Sequence, residues 1–239
     1  MPSRRWGPSR PNPSEMTARG RLIALEGIDG CGKTTQATAL AAALGATLTR
    51  EPGATPLGAR LRELLLAPGD GLRDAAASDA MAPSPRAEAL LMAADRAEHV
   101  ALVIEPALSR GEWVVTDRFS GSTLAYQGYG RGLDLGGLAD VVGWATGGVV
   151  ADLSVLVDVP VAVAAARLAA GPGGAARLDR MERLGPAFAA RVREGFLAQV
   201  TADPARWLVV DGEMPVDELA THIVAAVRAQ LGDAPAAGR

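Results

Sequence analysis

Lysine is almost absent from this chain of 239 residues: it occurs once, at Lys33, and every other basic side chain apart from the two histidines is arginine. Cysteine and asparagine also occur once each, as Cys31 and Asn12. A single cysteine excludes an internal disulfide, and its place among glycines suits a small space-filler better than a redox centre. No apolar run approaches the ~18 residues of a membrane span. The first residues lack the apolar segment of a secretory signal, so the expectation is a cytoplasmic protein with no membrane partner. Excess positive charge is missing too. A net charge of −3 gives no general attraction to nucleic acid, so any polyanion must be met by local arginines, and small phosphates suit that better than DNA.

What remains is an ordinary globular composition, 49% hydrophobic and 21% charged, long enough for one α/β domain. Its centre is Gly27-Ile28-Asp29-Gly30-Cys31-Gly32-Lys33-Thr34, a complete G-x-x-x-x-G-K-[ST] phosphate-loop pattern. The apolar run 21–26 before it reads as a strand and the Ala/Leu-rich stretch 35–44 after it as a helix, which is the context the pattern needs. Glycines let successive N–H groups turn toward phosphate oxygens, and the helix N-terminus adds partial positive charge. Lys33 then reaches the β- and γ-phosphates and Thr34 a magnesium ion. A compact ammonium fits such a closed cradle where a planar guanidinium collides, which explains why the one lysine stands here.

Further strands are expected at 46–49, 113–116, 153–159 and 207–210. Helices are expected at 55–66, at 86–108 with an interruption near Pro106, and at 161–170, 186–200 and 216–231. Residues 1–20 and 232–239 read as disordered extensions, and 68–85 as a loop or insertion. The second strand runs into Arg50-Glu51-Pro52-Gly53, and charges at strand carboxyl ends face the ligand crevice of open α/β sheets. The third ends in Asp117-Arg118-Phe119, where an aspartate suits magnesium. The break Gly171-Pro172-Gly173-Gly174, followed by Arg177 to Arg183, predicts a mobile lid over about 171–183. Arg96 and His99 share roughly one helix face; His99 is read first as a packing or surface histidine.

Five motifs in this order resemble the bacterial thymidylate kinase family: Leu25 to Gln36, Thr49 to Gly53, Ala94-Asp95-Arg96-Ala97-Glu98-His99, Asp117-Arg118-Phe119 with Ser122 to Gly128, and Asp179-Arg180-Met181-Glu182. The resemblance covers about residues 21–231. It implies a five-stranded parallel sheet flanked by helices, a homodimer packed through helices such as 86–108, and Mg²⁺-assisted transfer of the ATP γ-phosphoryl group to dTMP. Gly27, Ile28, Asp29, Gly30, Cys31, Gly32, Lys33, Thr34 and Thr35 would then bind ATP, with Arg167 on adenine. Thr34 and Asp117 would hold the metal. Arg62 and Arg118 would take the acceptor phosphate, Asp29 its 3′-hydroxyl, Arg96 and Thr123 the thymine edge, and Tyr126 the deoxyribose. Glu51, Ser122 and Glu182 join the acceptor side. Lys33, Arg118 and Asp117 are the implied catalytic groups together with a lid arginine, Arg177 or Arg180, the latter favoured. Gly30 carries no charge, so the transition-state arginine must come from elsewhere. Ala54 stands where the family usually has a second glycine.

Competing classes leave different marks. A regulatory GTPase needs an Asn-Lys-x-Asp motif, which a chain with only Asn12 cannot form. A nucleic-acid motor wants an acidic pair after the third strand and a basic track. A deoxynucleoside kinase, whose hydroxyl acceptor needs a general base, and a non-catalytic nucleotide-binding protein remain as alternatives.

Overall fold

The computed structural model describes residues 19–66, 82–171 and 178–234. Five strands, β1 (Leu22–Glu26), β2 (Thr47–Arg50), β3 (Val114–Asp117), β4 (Leu153–Asp158) and β5 (Trp207–Asp211), form one parallel sheet in the order β2-β3-β1-β4-β5. From β1 the chain crosses to one side and from β3 to the other, so the two adjacent strands part at their carboxyl ends. That is where such sheets bind ligands.

Every residue of β1 is buried, because both faces of the sheet are covered. Ile23, Leu25 and Val115 enter one core with helices α1 (Lys33–Leu44), α7 (Gly185–Ala202) and α8 (Val216–Leu231). Leu22, Ala24 and Val114 enter the other, packed under Val100, Ile104 and Leu108. Alternation of period two therefore sorts one apolar strand between two cores.

Helix α2 (Pro56–Leu66) precedes α3 (Pro85–His99), whose N-cap Ser84 accepts from Ala87 N–H at 3.4 Å. The expected interruption near Pro106 takes the form of a π-helical turn, Val100–Ile104, in which Glu105 N–H bonds Val100 O, before helix resumes over Glu105–Ser109. Pro106 has no N–H for the carbonyl four residues earlier, and a widened turn absorbs that loss. A second such turn, Leu124–Gly130, follows the short helix α4 (Ser120–Thr123). Helix α5 (Leu135–Ala145) was not anticipated: Gly136, Gly137 and Gly143 weaken its signal, and Asp134 starts it by accepting from Gly137 N–H at 2.7 Å. Helix α6 (Val161–Ala170) follows β4.

The expected N-terminal boundary shifts, because Arg19 is ion-paired with Glu105 and Gly20 N–H bonds Leu108 O at 2.9 Å. Residues 1–18, 67–81, 172–177 and 235–239 lie outside the described residues, and with them most of the 68–85 loop, part of the lid and most of the tail. Among the described residues no helix is long and apolar enough to cross a membrane.

Candidate active site

The loop from β1 into α1 is shaped by backbone that only glycine adopts readily. Gly27, Gly30 and Gly32 have φ of +145°, +83° and +96°. A Cβ at Gly27 would stand 2.7 Å from Val157 O, and one at Gly30 would meet Ala164 O on α6. No side chain, arginine included, fits at 30 without moving α6. Cys31 and Ile28 are buried, and burial pushes the Cys31 thiol up, which makes it inert packing. Lys33 is 7% exposed, its Nζ 3.3 Å from Asp29 Oδ1 and 3.4 Å from Ile28 O. The Thr34 hydroxyl donates to Asp117 Oδ2, while Asp117 Oδ1 is buried without a partner among the described residues. Thr35 lies exposed in the same first turn.

Arg118 links this loop to the adjoining cleft. Its φ of +74° makes it the one non-glycine residue with left-handed backbone among the described residues. Thr116 Oγ1 donates to its carbonyl at 2.8 Å. Buried Glu26 accepts from Phe119 N–H at 3.0 Å, Ser122 N–H at 3.1 Å and Ser122 Oγ at 2.6 Å, anchoring the segment that follows. The guanidinium then reaches Gly27 O at 3.2 Å, Ser122 Oγ at 2.9 Å, Tyr126 Oη at 3.0 Å and the Asp29 carboxylate, and lies 4.8 Å from the Tyr126 ring centroid. Tyr126 Oη donates to Asp29 Oδ2 at 2.7 Å. Burial opposes the Asp29 charge, but Arg118 and Lys33 outweigh it and hold the carboxyl well below its ordinary range. Glu26 has no such neighbour in contact, and burial pushes it up to about 7.

Beside Arg118 opens a small cleft with a cavity volume of about 90 Å³. Arg62, Arg96, Arg118, Ser122, Thr123 and Tyr126 all line it, together with Glu51 and Asp29. Arg96 is held rigidly: Nε donates to Glu51 Oε2 at 2.8 Å, Nη1 to Thr123 Oγ1 at 2.8 Å and Nη2 to Phe119 O at 2.9 Å. His99, fully buried, bonds Glu51 Oε1 at 2.9 Å and Thr49 Oγ1 at 2.6 Å, which makes it a packing residue that supports Glu51 from below. Asp95 Oδ1 accepts from Gly53 N–H at 3.0 Å, and Arg62 Nη1 donates to Pro52 O at 3.0 Å, so the Glu51–Gly53 turn is gripped from two helices. Sequence reasoning did not single out Glu26, Asp95 or Gln127 as site residues. All three stand inside the motifs given above, but nothing in one sequence separates a supporting residue from a contacting one.

On the lid side, Asp179 and Met181 line the cleft. Asp179 Oδ1 accepts from Met181 N–H at 2.8 Å and Glu182 N–H at 2.9 Å, and Glu182 Oε2 accepts from Asp179 N–H at 2.8 Å, a reciprocal cap at the start of a short turn. Arg180, expected to aim at the transferred group, instead bonds Glu88 Oε2 at 2.6 Å and Leu65 O at 2.9 Å. Both bonds tie it to the facing ends of α2 and α3. Arg177 lies outside the described residues. On the other flank, Arg167 joins the phosphate loop to the turn after β5, donating to Cys31 O at 3.3 Å and Gly212 O at 2.9 Å.

A phosphate loop, a strand-end Asp-Arg and an arginine-rich cleft are thus contiguous, and the family model described as thymidylate kinase matches residues 25–223. The chain belongs to the thymidylate kinase family. Its similarity to known members extends over most of its length. It is 46% identical over 218 residues to a thymidylate kinase of Synechococcus sp. (strain CC9311), covering 87% of this chain and 95% of the relative. It is 45% identical over 225 residues to that of Desulforudis audaxviator (strain MP104C), covering 92% and 95%. The fold matches the crystal structure of thymidylate kinase from Ehrlichia chaffeensis with a TM-score of 0.67 at 28% identity, over 88% of this chain and 99% of the other. This agrees with the expected parallel, helix-flanked sheet. The motifs recognised in the sequence fall on the phosphate loop, on the walls of the cleft or on the segments that hold them.

Proposed function

We infer that this enzyme transfers the γ-phosphoryl group of ATP to dTMP, giving ADP and dTDP. The observation that carries it is the placement of Arg118, whose guanidinium touches the phosphate loop at Gly27 and the acceptor cleft at Ser122 and Tyr126. A nucleophile that is already a phosphate oxygen needs alignment and charge neutralisation rather than a base. Arg62 and Arg118 supply that charge at the acceptor phosphate. A deoxynucleoside kinase would need a carboxylate matched to deprotonate a hydroxyl. Here Asp29 is held far below that range, Glu51 is committed to Arg96 and His99, and Asp95 and Asp179, though burial raises both, are engaged by backbone N–H groups of Gly53, Met181 and Glu182, so nothing favours that alternative.

In this proposal the backbone of Gly27 to Gly32, with Lys33, Thr34 and Thr35, binds the ATP phosphates, and Arg167 packs on adenine. Arg96 and Thr123 read the thymine edge, Asp29 the 3′-hydroxyl and Tyr126 the deoxyribose, with Glu51, Ser122 and Glu182 on the same side. Lys33 and Arg118 flank the migrating group, joined by Arg177 or by Arg180 once released. Thr34 and Asp117 would hold Mg²⁺. The unpartnered Asp117 Oδ1 beside the Thr34 hydroxyl fits a cation that takes few protein ligands and completes its shell with phosphates and water. When bound, the ion neutralises charge between the phosphates. Exposed Leu57 and Leu64 on α2 and Leu90 on α3 support a homodimer packed through these helices.

ADP release in a coupled assay with ATP, Mg²⁺ and a panel of nucleoside monophosphates and nucleosides tests the inference. Turnover with dTMP and none with deoxythymidine is expected. The reverse preference would overturn it.

A further inference from the structure

Glu88 is fully buried in the first turn of α3 and has no part in the chemistry above. Its carboxylate gathers donors from two other regions of the chain, the π-helical turn with the residue after it, and the lid. Oε1 accepts from Gln127 Nε2 at 2.9 Å and Arg131 Nε at 3.2 Å; Oε2 accepts from Arg131 Nη2 at 2.8 Å and Arg180 Nη2 at 2.6 Å. Burial alone would push the carboxyl up, but hydrogen bonds from Arg131, Gln127 and Arg180 hold it below its ordinary range. A buried acid shared by two guanidiniums is commonly no more stable than apolar packing of the same volume, so stability does not account for it. What it does fix is placement.

The cluster reaches the acceptor cleft by two routes. Arg180 also donates to Leu65 O, so its guanidinium bridges the ends of α2 and α3, and its chain neighbours Asp179 and Met181 form the lid-side wall of the cleft. Arg131 lies 5.3 Å from the Phe188 ring centroid, and Phe188 meets the cleft residue Tyr126 edge-on at 6.1 Å. Because Arg131 shares Oε2, departure of Arg180 leaves Glu88 still paired. The lid can therefore be held or freed without stranding a buried charge.

We propose that Glu88 is a positioning residue for the acceptor: through Arg180 and Arg131 it sets the lid-side wall of the cleft and thereby the affinity for dTMP, which it does not touch. This rests on the cleft being the dTMP site. Glu88→Gln keeps the volume and the Oε1 acceptor but turns an amide NH₂ toward two guanidiniums. The dTMP KM should rise on the order of tenfold, the scale of losing the charge-assisted bond that holds Arg180, with kcat and the ATP KM within about twofold. Arg180→Met should raise the dTMP KM comparably, and the double variant no further than either single, since both remove the same contact. If Glu88→Gln does not fold by circular dichroism, the dTMP KM of Arg131→Met, whose side chain is 17% exposed and has no place in the chemistry above, carries the test instead. An unchanged dTMP KM in the folded variants, additive effects in the double, or a fall in kcat alone in Glu88→Gln would overturn the proposal. Arg96→Ala is the control. If it raises the dTMP KM while Glu88→Gln does not, only this proposal fails, whereas a wild-type enzyme that does not use dTMP removes the site assignment itself.

Discussion

Asp29 and Arg118, 89 residues apart in the chain, are ion-paired where the phosphate loop meets the acceptor cleft. The pair joins the carboxyl end of β1 to that of β3 and, in the proposed assignment, would place a fixed positive charge between the two phosphate positions. Lys33 shares the same carboxylate at 3.3 Å, so the cation of the phosphate loop and that of the cleft are tied to one anion. Under that assignment substrate phosphates would compete for donors that are already aligned, the preorganisation phosphoryl transfer relies on.

Lys33→Ala should abolish transfer and leave the fold intact, because the change removes a charge aimed at the migrating group and little packing. A fall in kcat of at least about 10²-fold, the scale of losing one preorganised charge, is expected with unchanged circular dichroism. Lys33→Arg should fail as well, since the side chain is 7% exposed inside a cradle closed by Ile28 O. Near-normal turnover in either folded variant would falsify the assignment of this loop.

Base and sugar selection should divide between Arg96 and Tyr126. Arg96→Ala breaks three hydrogen bonds and leaves Glu51 with His99 alone, so dTMP KM should rise by ~10²-fold or more, the scale of losing a hydrogen-bonded charge. Tyr126→Ala should instead narrow the preference for deoxyribose over ribose monophosphates. Competition assays with both sugars check this, and an unchanged preference removes Tyr126 from sugar recognition.

The lid arginines are separable by kinetics. Alanine at the transition-state arginine should lower kcat by ~10³-fold or more with little change in nucleotide Kd. Single and double substitutions at Arg177 and Arg180, read in presteady-state transfer, identify which one it is. Wild-type kcat in all three returns the search to Arg50, Arg62 and Arg118.

Glu26 predicts a pH-dependent stability. Its folded pKa, about 7 against an ordinary 4.5, means that the native state keeps a proton the unfolded chain has lost. Its contribution is therefore full below 4.5 and disappears as pH rises through 7, on the order of 3 kcal/mol across that window. Tm should fall from pH 5 to pH 8 more steeply in the wild type than in Glu26→Gln. Parallel curves would show that Glu26 titrates normally.

Local and long-range physics divided the work of specifying this protein. The phosphate loop was legible because glycine backbone, lysine and threonine must occur at fixed spacing along a strand–loop–helix segment, and most flanking strands announced themselves as short apolar runs. Helix α5 and the widened turn Leu124–Gly130 were not, since glycines hide the one and no proline marks the other, whereas Pro106 announced an interruption without its form. Tertiary structure alone decided partnerships. Which acid holds Arg96, why His99 is internal, why Gly30 admits no side chain and where Arg180 rests depend on atoms from distant segments meeting in a buried site. Pairwise contact across the fold leaves no periodic mark in a single chain, whereas a loop that must close on a phosphate carries its geometry in consecutive residues.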